Sequence, residues 1–343
     1  MHYAISFYVI INKRKKVINI CTCIKLKTKN PYFGRTLDLD YRFSEEVVVT
    51  PRNYQFNLKN GTNLKTKYAI IGMATVIDNC PLYAEAANEK GLAMAGLNFP
   101  KNSYLFKPSK DKLNLAMYEL VPYFLGQYES IKELRNDLEK LNIVDTPFKE
   151  NMPAGEMHYM FSDQNESIVV EQTKEGLKIY DNPLNVMTNN PTFDYHLMNI
   201  NNYLNLNPKV EDTSFKTKLN LTPYGEGMGF IGLPGDNSPS SRLVRATYNL
   251  VNSKSEDDEI SSVTQFFHIL DSVSMVKGST ISKKDTYDLT TYTCCISLNE
   301  GIYYYKTYDN NQINAIKLTE KNMNNKDITR IKLQEEQHIN YQN

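Results

Sequence analysis

Residues 20–43 read ICTCIKLKTKNPYFGRTLDLDYRF, and the fold class turns on this stretch. Cys21 and Thr22 open a run that suits a strand. Pro31–Gly34 carries the residue types of a tight turn, and Arg35 and Asp38 then fall on the expected partner strand. A cysteine near the start of a strand is more often structural than reactive. Its neighbours here argue otherwise. A cation beside a thiol lowers its pKa and raises the thiolate fraction, and a carboxylate can hold an ammonium group or a base in place. Arg35 and Asp38 offer one of each, although as a surface ion pair they would be worth little. Cys23 repeats the thiol two residues along, hence on the same face of the strand.

Working outward, KYAIIGMATVI (67–77) is rich in β-branched residues between polar turns and predicts a buried strand, with GLAMAGLNF (91–99) as its neighbour. Helical spacing is expected between about Leu113 and Leu141. Ser130 and Glu133 make a capping-box pair there, and Ile131, Leu134, Leu138 and Leu141 share a face. Strand signals return at His158–Ser162, Ser167–Thr173 and Leu177–Asp181, and helices are expected at Ser241–Val251 and Val263–Val273. The segments TYTCCISL and IYYYKTYD flank a turn at Asn299–Gly301 and form a hairpin, followed by INAIKL. Beyond about Asn322 the chain is polar, a tail with one short final strand. Long antiparallel strands separated by helix pairs indicate a layered α+β sandwich, not a dinucleotide-binding βαβ fold. No repeat or linker divides residues 21–343, which are expected to form a single domain.

Composition narrows the function classes. Lys plus Arg and Asp plus Glu each total 39, so the formal charge is zero and gives no general attraction to nucleic acid or an anionic membrane. Five cysteines, an odd number, do not suit a disulfide framework and fit a reducing cytoplasm. Cys294 and Cys295 read as buried, inert thiols, and Cys80 has no partner at metal-ligand spacing. In the first twenty residues the apolar run Ala4–Ile11 precedes the basic run Lys13–Lys16, the reverse of a secretory signal. That run is far short of the roughly 20 residues that span a bilayer, so a soluble protein is expected. Dinucleotide, P-loop, zincin and serine-elbow motifs are missing. His2, His158, His196, His268 and His338 show no ligand spacing, and His268 in QFFHIL reads as a packed helix residue.

The chain resembles the choloylglycine hydrolase family, the bile salt hydrolases and penicillin V acylases. The matching segments are CT…FGRTLD, TPRNY, PLYAEAANEKGLAMAGLNFP, VVEQTKEGL, TNNPTFDYH, GLPGDNSPSSRLVR, FFHILDSVSMVKGS and GIYYYKTYDNNQINAI, in order and similarly spaced from Cys21 to about Leu318. The resemblance implies a four-layer αββα sandwich of the N-terminal-nucleophile hydrolase class, with Cys21 as nucleophile and its own α-amine, of ordinary pKa about 7.7–8.0, as base. It further implies that Arg35 and Arg242 flank the thiol, that Asp38 holds the α-amine, and that Asn98 and Asn189 donate to the oxyanion. Read without the resemblance, the two asparagines could merely cap turns beside Pro100 and Pro191. No metal or organic cofactor is implied.

By the same resemblance, Leu37, Ile77, Ala84, Phe148 and Met152 take the place of steroid-contacting residues. Asn98 in AGLNF favours a conjugated bile salt over penicillin V as substrate, since several penicillin V acylases carry Tyr there. The family's usual homotetramer is joined partly by an extended loop, matched here by Leu197–Thr222, which is polar and Asn-rich. The chain departs from the family in the residues before Cys21. Three explanations are open: translation that starts at Ile20 through an Ile-type codon read as Met, a propeptide over 1–20 removed by autocatalysis, or an unprocessed homologue that only binds ligand.

Overall fold

The computed structural model describes residues 20–211, 215, 217–281 and 285–343. The expected N-terminal extension, Ile20 excepted, and part of the Leu197–Thr222 loop lie outside the described residues. In chain order the strands are β1 (Ile20–Lys27), β2 (Pro31–Leu39), β3 (Glu46–Thr50), β4 (Gln55–Asn57), β5 (Asn63–Lys65) and β6 (Ile70–Ile77). They continue with β7 (Cys80–Asn88), β8 (Ala93–Asn98), β9 (Leu113–Ala116), β10 (Leu141–Val144), β11 (Met157–Ser162) and β12 (Ser167–Thr173). The last are β13 (Gly176–Asp181), β14 (Val186–Met187), β15 (Leu289–Ser297), β16 (Ile302–Thr307), β17 (Asn314–Lys317) and β18 (Thr329–Ile331). The helices are α1 (Leu120–Gln127), α2 (Ile131–Glu139), α3 (Phe193–Asn199), α4 (Pro239–Asn252), α5 (Glu259–Asp271) and α6 (Glu320–Met323).

Two sheets carry the fold. The first runs β14-β1-β2-β15-β16-β17 and the second β13-β12-β11-β8-β7-β6-β3-β18. Because side chains alternate along each strand, both faces of both sheets are apolar and each needs a cover. Cys21, Cys23, Phe33 and Leu37 of the first sheet interlock with Val47, Val49, Ile71, Ala95 and Met160 of the second. The outer face of the first sheet, with Ile24, Tyr32 and Cys295, packs on Leu243 and Ala246 of α4 and on Phe266 and Leu270 of α5. The outer face of the second, with Ile70, Ala86, Met94 and Phe161, packs on Leu120 and Phe124 of α1 and on Ile131, Leu134 and Leu138 of α2. The result is the expected αββα order of layers.

Two local expectations are corrected. The β1–β2 turn lies at Thr28–Asn30, where Thr28 N–H donates to the Asn30 carbonyl at 3.1 Å, and Pro31 already begins β2. Gly34 sits inside the strand for a different reason. A Cβ there would lie 2.1 Å from the Cys294 carbonyl oxygen, so only glycine lets β15 approach β2 this closely. The second correction concerns Leu113–Leu141, which is not helical throughout. Its two ends belong to strands that pair with each other, Leu113–Ala116 lying parallel to Leu141–Val144. Tyr128 is extended between α1 and α2 and splits the helical part in two. Ser130 accepts from the Glu133 N–H at 3.4 Å, but the Glu133 carboxylate turns to the Glu129 N–H, leaving only half of the capping box. The short final strand does form: β18 closes the second sheet against β3.

Candidate active site

The β1–β2 ladder sets Cys21 opposite Leu37, Cys23 opposite Arg35, and Ile20 opposite Asp38. Alternation then divides the site between two faces. Cys21, Cys23, Arg35 and Leu37 face the second sheet, while Thr22, Thr36 and Asp38 face the helix layer. Arg35 is 1% and Asp38 0% exposed, so the two do not form a surface ion pair.

On the inner face, Arg35 Nη1 donates to the Gly96 carbonyl at 2.6 Å and Nε to the Thr36 carbonyl at 3.2 Å. Its Nε also lies 3.9 Å from Glu85 Oε2. Tyr292 and Tyr303 donate their hydroxyls to Glu85 at 2.8 and 2.6 Å. Arg35 Nη2 is buried with no hydrogen-bond partner. Burial pushes the Cys21 thiol above its ordinary pKa. The Arg35 charge opposes this most strongly, with the Asp38 backbone N–H and Arg242 acting in the same direction. Cys23 lies deeper still, and burial raises its pKa well beyond the useful range.

On the helix face, the Asp38 carboxylate accepts from Thr290 Oγ1 at 2.6 Å and Thr36 Oγ1 at 3.2 Å. Burial pushes its pKa up to about 6, with Arg242 the largest opposing influence. Arg242 reaches the site because Ser238 caps α4 and Pro239 starts it, which places residue 242 on the turn facing the sheet. Its Nη1 donates to the Cys21 carbonyl at 2.5 Å and to Thr22 Oγ1 at 2.6 Å, and its Nη2 donates to Asn189 Oδ1 at 2.8 Å. Asn189 joins the two faces. Its Oδ1 also accepts the Cys21 N–H at 2.8 Å, and its Nδ2 donates to the Asn98 carbonyl at 2.8 Å. Asn98 ends β8 and Asn189 follows β14; both are buried, so neither merely caps an exposed turn.

All six expected chemical residues, Cys21, Arg35, Asp38, Asn98, Asn189 and Arg242, thus converge around the start of β1. The five apolar candidates are more dispersed. Leu37 belongs to the inter-sheet core and is 6% exposed. Ile77 ends β6, and Ala84 sits where the β6–β7 register shifts. Phe148 N–H donates to the Met152 carbonyl at 3.2 Å, and Phe148 packs edge-on against Tyr118. The Lys149–Asp78 ion pair, at 2.7 Å, ties this Phe148–Met152 loop to the turn after Ile77. Sequence reasoning missed Glu85, His158, Glu171 and His196, all buried. Glu85 follows immediately on the apolar candidate Ala84, and an acidic residue inside the otherwise small, apolar run AEAA was the available signal.

Among the described residues, no cluster of three or more His, Cys, Asp or Glu could hold a metal ion, and no helix is long and apolar enough to cross a membrane. All five cysteines are free thiols.

The family model for linear amide C–N hydrolases, choloylglycine hydrolase family, matches residues 21–331. A bile salt hydrolase/transferase of Lactiplantibacillus plantarum is 44% identical over 317 residues, covering 92% of this chain and 98% of that protein. The crystal structure of a conjugated bile acid hydrolase variant from Clostridium perfringens superposes with a TM-score of 0.87 at 41% identity, covering 94% of this chain and 100% of that one. Penicillin V acylase from Agrobacterium tumefaciens shares the fold, with a TM-score of 0.68 at 21% identity over 88% of this chain and 86% of its own.

Proposed function

The chain belongs to the choloylglycine hydrolase family of linear amide C–N hydrolases, and from that premise we propose that it cleaves the amide bond of glycine- or taurine-conjugated bile salts. One observation carries the reading: five polar residues converge around Cys21 in a chain whose relatives at 44% and 41% identity are each named bile salt hydrolase/transferase. Cys21 is the nucleophile. Its free α-amine is the base, which requires residues 1–20 to be absent from the active chain. Asn189 Oδ1, 2.8 Å from the Cys21 nitrogen, is an acceptor suited to holding that amine.

The amine takes the Sγ proton, and the sulfur attacks the acyl carbon. Asn98 and Asn189 supply side-chain donors to the resulting oxyanion. The proton then passes to the leaving nitrogen, glycine or taurine departs, and water cleaves the thioester to release the free bile acid. Arg35 and Arg242 offset the negative charge on sulfur, and Asp38 balances the ammonium. Ile77, Ala84, Phe148 and Met152 form the apolar wall for the steroid, with Leu37 behind the thiol. We assign the protein to the cytoplasm, in keeping with its free thiols, and to a homotetramer joined partly through Leu197–Thr222.

Intact mass and a hydrolysis panel test this together. A chain beginning at Cys21 that cleaves glycocholate or taurocholate faster than penicillin V is the expected result. Faster penicillin V cleavage would change the substrate. A chain that retains residues 1–20, yields no product and still binds glycocholate as Cys21→Ala would make it a binding protein.

A further inference from the structure

His158, on β11, falls opposite Glu171 on β12 when the ladder that pairs Tyr159 with Val170 continues by one residue. Its Nδ1 lies 3.0 Å from Glu171 Oε1 and its Nε2 lies 2.8 Å from the Thr188 carbonyl oxygen. Glu171 also accepts the Phe193 N–H, at 3.1 and 3.2 Å to its two oxygens. A carbonyl only accepts, so Nε2 donates to Thr188, and Nδ1 is held by the Glu171 carboxyl group. Phe99 stacks on the ring with centroids 4.2 Å apart and planes at 5°. His158 is 1% and Glu171 0% exposed.

The neighbours of this ring matter most. Thr188 directly precedes Asn189, and Phe99 directly follows Asn98. One imidazole therefore touches the chain beside both asparagines of the site. His196 adds a second fixation, with Nε2 3.0 Å from the Asn189 carbonyl. Two consecutive carbonyls, of Thr188 and Asn189, are each held by a buried histidine. A carboxamide that must serve the Cys21 nitrogen, Arg242 and the Asn98 carbonyl has little tolerance for backbone drift.

We propose that His158, backed by Glu171, is a positioning residue for the amidase reaction: it locks the backbone beside Asn98 and Asn189 so that both side chains meet the Cys21 reaction centre in register. This rests on the functional reading given above. His158 touches no reacting atom and exchanges no proton with substrate. Its contribution is orientation, and misplacement of a catalytic group by about 1 Å can cost on the order of a hundred-fold in rate.

Two substitutions of similar size and polarity separate this role from simple core packing. In His158→Gln the amide nitrogen reaches the place of Nε2 and can still donate to Thr188. In His158→Asn it stops near Nδ1 and can serve only Glu171. With glycocholate, below both melting temperatures, His158→Asn is expected to lose kcat by about ten- to a hundred-fold with KM within about twofold, and His158→Gln to recover most of it. Equal kcat in the two variants, whether high or low, overturns the proposal. Crystal structures of both variants decide between these roles even if the wild type turns over no bile salt, which would count against the functional reading alone. Displacement of Asn189 Oδ1 from its 2.8 Å contact with the Cys21 nitrogen in His158→Asn but not in His158→Gln supports the role. An unmoved Asn189 in both refutes it.

Discussion

Arg35 Nε lies 3.9 Å from Glu85 Oε2 in an environment where neither side chain meets water. Burial raises the Glu85 pKa above its ordinary value, and Arg35 with the Tyr303 and Tyr292 hydroxyls opposes that rise. The cation that favours the Cys21 thiolate is thus itself balanced from the second sheet. Removing one partner leaves the other buried and uncompensated, so Glu85→Ala and Arg35→Leu should each cost about 3–5 kcal/mol. The double variant should cost clearly less than their sum. Urea unfolding of the four proteins measures this, and strict additivity would show that the two charges do not interact.

Cys21 and Cys23 share a face and Arg35 acts on both, but only Cys21 also meets Arg242 and the Asp38 backbone N–H. Cys21→Ser should reduce amide hydrolysis by at least about a thousand-fold, whereas Cys23→Ala should stay within a few-fold of wild type. Product release from taurocholate, followed by chromatography, distinguishes them. Comparable losses in both variants would mean that Cys23 is more than a packing residue.

Asn189→Ala removes the acceptor beside the Cys21 nitrogen and a donor beside Asn98. A loss in kcat of about 100- to 1,000-fold is expected if, as proposed, the substitution deletes a donor to the oxyanion. Steady-state kinetics with glycocholate would read it. A rise in KM with kcat unchanged would place Asn189 in ground-state binding instead.

Asp38, pushed up to about 6 by burial, carries a pH signature. Its unfolded value is about 3.9, so the folded state prefers the protonated carboxyl. That contribution is fully present below about pH 4 and is lost as pH rises through about 6. In a chain retaining Ile20, the wild type should therefore lose stability relative to Asp38→Asn across that window. Melting temperatures of both, each in a Cys21→Ala background, should diverge in that sense. A constant or opposite difference would contradict the burial of the carboxyl.

Gly34→Ala would bring a Cβ to 2.1 Å from the Cys294 carbonyl oxygen, against backbone that has no free rotamer to yield. The β2–β15 ladder must open, and a loss of several kcal/mol, beyond the usual range of about 0.5–3 kcal/mol for a substitution, is expected. Soluble expression and melting temperature suffice as measurements.

Much of this architecture was legible because it rests on local composition. The strands near Lys67–Ile77 and Gly91–Phe99 follow from short apolar runs, the first rich in β-branched residues and bounded by polar turns. The errors arose where a distant segment decides. Gly34 resembles turn punctuation in the sequence, yet its role is to admit Cys294, some 260 positions away. Leu113–Ala116 and Leu141–Val144 became strands by pairing with each other, outside the reach of helical spacing. That Arg35, Asp38, Asn98, Asn189 and Arg242 gather near Cys21 was legible through the family resemblance, but the places of Glu85, His158 and His196 were not. Their meaning depends on what stands opposite, and no residue count along one strand reveals that.

The order of pairing in the first sheet has a consequence for synthesis on the ribosome. Strand β2 has β1 on one side and β15 on the other, and the Thr290–Asp38 hydrogen bond joins residues 252 positions apart. The thiol is made among the first strands, yet the second flank of its hairpin emerges only after most of the chain. At about 5–20 residues per second, the interval is on the order of ten to fifty seconds. Throughout it Cys21 lacks its assembled surroundings, so on the proposed reading the growing polypeptide carries its nucleophile in an unarmed state until nearly the whole product is made.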